Sequence, residues 1–414
     1  MTAGPALADG LAGARTVLER ADELASRTAS STGIDRFYLT PEHAQVNAIV
    51  GSWMREARMR SWQDPAGNQC GRLEGEVPGL PALLLGSHLD TVPGAGRYDG
   101  VLGVLVAIAV VARLDPGALP FAVEVAAFGD EEGARFGTTL LGSRALAGTW
   151  QPEWVDLVDS RGETLQEAAL TFGLEPERIG EAAREPDSLI GYLEAHIEQG
   201  TRLEAAGRSL GVVTGIAAAR RFLLTLTGHA GHCATPPKLR RDALLGASEA
   251  ILAIERIAGE QGSPATVGHL GVRPDAVNVI PGVAEFSLDL RDETDEARDE
   301  TWALLRAEVE RIAAARGLTL GVVATHEAPA VRASAGLAGA VRAGIRSTGD
   351  AAPIELFSIA GHDAMALATL TDVGMLFVRC GGGVSHHADE AVTAADVADA
   401  IDALHAAVLA LAAE

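Results

Sequence analysis

Two short apolar runs, each ending in a burst of polar residues, flank a long apolar stretch of helical length. This pattern constrains the chain more than any other feature. Pro81–Gly86 (PALLLG) leads into Ser87-His88-Leu89-Asp90. Phe121–Phe128 (FAVEVAAF) leads into Gly129-Asp130-Glu131-Glu132, and Val101–Leu114 lies between the two. Strands alternating with helices of this length predict an α/β unit with a largely parallel sheet. In such sheets ligands collect beyond the carboxyl ends of the strands, so polar residues just after a strand carry the chemical information.

From about residue 211 the texture changes. Phe222–Thr227 and Val283–Leu290 alternate as half-exposed strands, and helical patterns follow each at Asp242–Ala258 and Glu293–Arg316. Alternation of this kind predicts an antiparallel sheet with one covered face. After about 328 the α/β texture resumes, with a strand at Val373–Val378 and a last helix at Ala394–Ala413. The expected architecture is a discontinuous α/β domain with a mostly parallel sheet, residues 1–210 and 328–414. A smaller α+β domain, residues 211–327, is inserted into it.

Composition narrows the function classes. At 414 residues the chain is too long for one small domain, and 48% hydrophobic with 21% charged residues is an ordinary globular balance. A net charge of −23 disfavours nucleic acid as a partner. The longest apolar run, Val101–Ala112, is short of the roughly 18 residues a membrane span needs. The amino-terminal segment reads as an amphipathic helix rather than a signal peptide. Cys70, Cys233 and Cys380 are sparse and form no paired motif, as expected of a reducing compartment. These readings together place the chain in the cytoplasm.

The chemistry-bearing residues follow the predicted strands. His88 and Asp90, two apart on extended chain, point to one side, so that one can bind a metal and the other orient it. Asp99 precedes the apolar helix, where an aspartate is most often an N-cap. Of the adjacent Glu131 and Glu132, one can ligate a cation while the other serves as general base. His196 lies in EAHIEQG and His386 in GGGVSHHADE, beside His387. Three histidines with carboxylates and no clustered cysteine suit zinc or manganese, and a shared carboxylate would assemble a two-metal site.

The segments GSHLDTVPGAGRYDGVLGV, DEEGARFGTTLLGSRALAG, EAHIEQGTRLE, NVIPG, FSLDLRD, AGHDAM and GGGVSHHADE carry a resemblance. They resemble the amidase (hydantoinase/carbamoylase) branch of the metal-dependent aminoacylase/carboxypeptidase superfamily. The branch includes N-carbamoyl-L-amino-acid hydrolases, β-ureidopropionases and allantoate amidohydrolases. The runs FGTTLLGSRALAGTW, ATVGHLGVRPDAVNVIPG and MLFVRCGGGVSHHADE look most like the allantoate group.

The resemblance implies two divalent metal ions per subunit, Mn2+ or Zn2+. His88 and His196 would complete one site, Glu132 and His386 the other, and Asp99 would bridge them. Asp90 would orient His88, and Glu131 would be the general base. His232 and Asn278, from the inserted domain, would hold the carbonyl oxygen. Arg291 would clamp a substrate carboxylate, Gln199 would contact the ureido end, and Gly361 would belong to the substrate site. His229 is a rival to His232. The inserted domain would act as a lid and make a homodimer. The implied reaction is hydrolysis of a small anionic ureido substrate, allantoate first and N-carbamoyl-L-amino acids second. The chain departs from the family pattern at His232-Cys233-Ala234-Thr235-Pro236-Pro237-Lys238 and at Ala388.

Overall fold

The computed structural model describes residues 5–413, which divide into two compact units. One comprises the chain up to Thr214 and from Arg332 onward; the other is Gly215–Val331.

The first unit is built on a nine-stranded sheet. Its centre is four adjacent strands in the order Ala122–Phe128, Ala82–His88, Leu189–Ile197 and Val373–Val378. All three contacts among them are parallel. Antiparallel partners flank this centre, Gln69–Leu73 on one side and Leu210–Ile216 on the other. The central strands are buried along almost their whole length. This explains why they read as continuous apolar runs: a sheet covered on both faces has no solvent side to be polar.

The apolar helix Val101–Arg113 is buried nearly all round. It packs with Ala335–Ser347 and Ala394–Ala412 against Leu83, Leu85, Leu193 and Leu376 of one sheet face. Its approach is close because Gly103 carries no side chain: a Cβ there would lie 2.1 Å from the main-chain oxygen of Ala195. A smaller cluster, including Tyr38, Phe136, Leu141 and Leu165, anchors the segment that follows Phe128.

The order of the central strands matters for ligands. From Ala82–His88 the chain moves to one neighbour, Ala122–Phe128, and then returns to the other side with Leu189–Ile197. Connections that leave in opposite directions open a crevice at the carboxyl ends of the strands. His88 and His196 stand at the ends of the two strands that border this reversal.

The second unit is a five-stranded antiparallel sheet with Val283–Asp292 and Ala218–Thr227 at its centre. Ala284, Phe286, Leu288 and Leu290 alternate inward, and the helices Ala243–Gln261 and Asp295–Ala315 supply the rest of the core. The alternation seen in the sequence thus marks a sheet with one face packed on helices. No helix among the described residues is long and apolar enough to cross a membrane.

Gly103→Ala tests the helix–strand approach with opposed signs. Helix propensity alone would stabilise the alanine variant by about 1 kcal/mol. The 2.1 Å encounter with Ala195 should prevail and lower the unfolding free energy by about 1–3 kcal/mol. Urea unfolding measures the difference, and a raised midpoint would show that the helix can shift without cost.

Candidate metal centre

Asp99 is the focus of the polar residues at the strand ends. It is buried, and three imidazoles face its carboxylate. His196 Nε2 lies 3.2 Å and His88 Nε2 4.0 Å from Oδ1, while His386 Nε2 lies 3.1 Å from Oδ2. Asp99 does not cap the helix that follows. The N-cap is Gly100, and no side chain makes a cap bond there, so the aspartate side chain is committed to the histidines. Gly100 is required on two counts: its φ is 65°, and a Cβ would lie 2.4 Å from the His88 ring.

The rings are held by their other nitrogens. His88 Nδ1 lies 3.0 Å from the main-chain oxygen of Asp90, and His196 Nδ1 lies 2.9 Å from that of Ile197. A carbonyl can only accept, so each Nδ1 carries a proton and each Nε2 is turned toward Asp99. Asp90 therefore steadies His88 chiefly through its backbone carbonyl, with its carboxylate 3.6 Å away. That carboxylate accepts from the amides of Glu131 at 3.0 Å and Glu132 at 3.2 Å. It ties the turn after one strand to the end of its neighbour.

Glu132 Oε1 lies 3.4 Å from His386 Nε2. His387 points elsewhere, to the amide and carboxylate of Asp389, so His386 is the histidine that belongs to the cluster. Gln199 donates to both Asp99 oxygens at 3.2 Å and to Ser385 at 3.1 Å. Gly361 lies beside Glu131. Asp130, Gln199 and His386 all have positive φ. Such backbone costs of order 1–3 kcal/mol each for a residue with a side chain, and here it clusters around one site.

The electrostatics suit cations. Burial pushes Glu131 up to about 8, aided by the neighbouring carboxylates, although His88 pulls it back. Glu132 is likewise pushed up to about 8 by burial and then by Glu131. Burial depresses His196, but its hydrogen bond to Asp99 and the charges of Asp99 and Glu194 carry it up to about 9. The bond to Asp99 raises His386 to about 8. Protons thus balance charge at nitrogens and oxygens that together form metal-ligating sets. His88–Asp99–His196 and Asp99–Glu132–His386 each bring their donor atoms within 4.8 Å of one another. The two sets share Asp99, and the three cysteines are outside them. A further set, His88–Glu131–Glu132, overlaps them. The donors therefore fit a pair of divalent cations bound through nitrogen and oxygen.

In the second unit, Gly231–His232 pairs antiparallel with Val279–Ile280, His232 opposite Val279. Asn278 immediately precedes the ribbon strand that pairs with His232, and both residues are exposed. His232 Nδ1 accepts from the Ala234 amide at 3.1 Å, which leaves the ring proton on Nε2 as a donor. His229 is exposed and outside the ribbon. Arg291 donates through Nε and one terminal nitrogen to Asp289, at 2.8 and 3.1 Å.

Ser385, Glu390 and Glu194 did not stand out in the sequence. Glu194 is fully buried and accepts from Ser87 at 2.8 Å and from the Ala364 amide at 3.2 Å. The one signal for Glu390 was its place at the end of the glycine-rich loop that carries His386, and its partners lie at Tyr98 and Asp99.

A model of peptidase family M20/M25/M40 matches residues 84–410. An N-carbamoyl-L-amino acid amidohydrolase of Geobacillus stearothermophilus is 41% identical over 379 residues, covering 91% of this chain and 92% of that protein. A probable allantoate deiminase of Oryza sativa subsp. japonica is 39% identical over 421 residues, covering 92% and 85%. The crystal structure of a hydantoinase/carbamoylase family amidase from Burkholderia multivorans has a TM-score of 0.86 at 32% identity. It covers 97% of this chain and 98% of that one.

Titration of chelator-treated protein with Mn2+ tests the ligand sets. Asp99→Asn should weaken both ions and Glu132→Gln one, whereas Glu131→Gln should leave two equivalents bound. Loss of an ion from Glu131→Gln with both kept in Glu132→Gln would reverse the two glutamates.

Proposed function

The chain belongs to peptidase family M20/M25/M40, and on that premise we propose that it is a dinuclear-metal amidohydrolase of carboxylate-bearing ureido compounds, with allantoate as its preferred substrate. The observation that carries this reading is Asp99, shared between two nitrogen–oxygen ligand sets with Glu131 beside them. His88, Asp99 and His196 would hold one ion, and Asp99, Glu132 and His386 the other, with Mn2+ or Zn2+ as the natural occupants of such donors. Bound there, the cations supply Lewis acidity, which makes water easier to deprotonate and polarises a carbonyl.

Glu131 removes a proton from the attacking water. Its burial keeps the carboxylate basic enough for that task. The water oxygen bonds to the ureido carbon, and the proton passes from Glu131 to the departing nitrogen as the C–N bond breaks. With allantoate this first cleavage would leave a carbamic acid, whose remaining C–N bond breaks on decarboxylation, so that the products are ureidoglycine, ammonia and carbon dioxide. His232 donates its Nε2 proton, and Asn278 its amide, to the oxygen on which charge develops; donors so placed contribute about 3 kcal/mol each. Arg291, its fork steadied by Asp289, binds the substrate carboxylate in a planar two-bond contact. Gln199 addresses the ureido end, and Gly361 leaves room next to Glu131 for substrate.

Three stretches favour allantoate: FGTTLLGSRALAGTW, ATVGHLGVRPDAVNVIPG and MLFVRCGGGVSHHADE. A second reading, N-carbamoyl-L-amino acids, is favoured by the 41% identity to the Geobacillus protein. Both substrates carry the carboxylate that Arg291 would read. We place the enzyme in the cytoplasm and take it to be a homodimer formed through the inserted unit.

Metal-loaded protein should release ammonia from allantoate faster than from a panel of N-carbamoyl-L-amino acids. Glu131→Gln should lower kcat by about 10²–10⁴-fold, and Arg291→Lys should raise KM for every carboxylate substrate. Absence of turnover on all ureido compounds by protein holding two ions would refute the assignment. An unchanged KM in Arg291→Lys would remove that residue from the site.

If His232 serves the partner subunit's site, two inactive variants should complement each other. Glu131→Ala and His232→Ala, dissociated and reassociated together, form about half mixed dimers, each with one intact site. About a quarter of the wild-type activity should then return. No recovery, with subunit exchange verified by distinct tags, would confine His232 to its own subunit.

A further inference from the structure

Glu390 is a buried carboxylate in the loop that carries His386, and its partners are all at or beside the candidate ligands. Oε1 accepts from the amide of Tyr98 at 2.6 Å and from that of Asp99 at 3.0 Å. Oε2 accepts from the Ser385 hydroxyl at 3.1 Å, and the same hydroxyl lies 3.3 Å from Asp99 Oδ2. Ser385 is the residue before His386, and Gln199 reaches it as well. The Glu390 amide closes the loop on the main-chain oxygen of His387 at 3.1 Å. Gly96 gives the side chain its room: a Cβ there would lie 2.4 Å from that of Glu390.

These bonds join two segments far apart in the sequence. One presents Asp99, whose main chain turns abruptly into the buried helix at Gly100. The other presents His386 from a backbone with φ of 56°, a conformation that persists only where its surroundings enforce it. The sheet fixes His88 and His196 directly, because both are strand residues. Asp99 and His386 lie in loops, and Glu390 links those loops.

We propose that Glu390 is a positioning residue, whose carboxylate fixes the main chain of Asp99 and, through Ser385, the loop of His386. The metal groups thereby keep their shared aspartate and their most exposed histidine in register. The inference rests on the reading of Asp99 and His386 as metal ligands. It assigns Glu390 no contact with substrate or ion. The carboxylate acts by acceptor geometry rather than by charge, which makes the glutamine variant decisive. In Glu390→Gln the side-chain carbonyl can accept the same two amides, and the side-chain NH2 can donate to the Ser385 oxygen, which accepts as readily as it donates.

The test is calorimetric titration of the chelator-treated full chain with Mn2+, each variant checked by urea unfolding. Glu390→Ala should bind Mn2+ about 10–100-fold more weakly than wild type, the range typical when a partner of a metal ligand is removed. Glu390→Gln should bind close to wild type, and Ser385→Ala should show a loss smaller than that of Glu390→Ala. Wild-type affinity in Glu390→Ala would overturn the proposal. So would equal damage in Glu390→Gln and Glu390→Ala, which would assign the effect to charge. Should Glu390→Ala not fold, the proposal stands on near-normal affinity in Glu390→Gln together with a loss in Ser385→Ala, and falls without both. Failure of the wild-type chain to bind two equivalents would instead overturn the metal-centre reading itself.

Discussion

Everything at this site is arranged around one buried carboxylate. Asp99 lies in a loop, yet His88, His196 and His386 meet it from the ends of strands and the loop beyond one of them. A lone carboxylate in that position would be costly to keep charged. Burial pushes Asp99 up, but its bonds to His196 and His386 prevail and hold it well below the usual carboxylate range. The same geometry carries His196 up to about 9 and His386 up to about 8. Charge at the centre is therefore balanced jointly, and the set is suited to exchanging protons for divalent cations.

The parallel sheet makes this convergence possible. Four adjacent strands deliver their carboxyl ends to one edge, and each end or following loop contributes a polar residue: His88, the pair Glu131–Glu132, His196 with Gln199, and His386. Precision comes from a second set of bonds. Asp90 ties the Glu131–Glu132 turn to its neighbouring strand, and carbonyls of Asp90 and Ile197 fix two ring orientations. Asp130, Gln199 and His386, all at positive φ, cluster in the loops at this edge. The packed core behind it sustains the strain.

The inserted unit has different physics. Its antiparallel sheet has a core of alternating residues, and His232 lies on a separate, exposed ribbon of two short strands. There the orientation of His232 is set by a local hydrogen bond that its Nδ1 accepts from the Ala234 main-chain N–H. The departure of the sequence at Cys233 and Pro236–Lys238 falls on this same loop. Arg240 closes that loop on the carbonyls of Cys233 and Thr235.

Much of this was legible in the chain. The runs before His88 and Asp130 read as buried strands because they are short, apolar and bounded by turn residues, and the structure forms strands there. The run at Val101–Leu114 read as an interior helix, which the structure forms at Val101–Arg113, and the change to alternation read as an antiparallel sheet, which it also forms. Polar residues placed after such strands were the natural candidates. What the sequence could not decide were interactions between segments that no local pattern connects. That Asp99 is free of its helix cap, that Asp90 holds Glu131 and Glu132 by their amides, and that Glu390 grips the Asp99 loop from near the far end of the chain are consequences of strand order and loop closure. Burial and periodicity are local and are written along the sequence. Which loop meets which at the sheet edge depends on contacts between segments far apart in the chain, and only the folded chain fixes those.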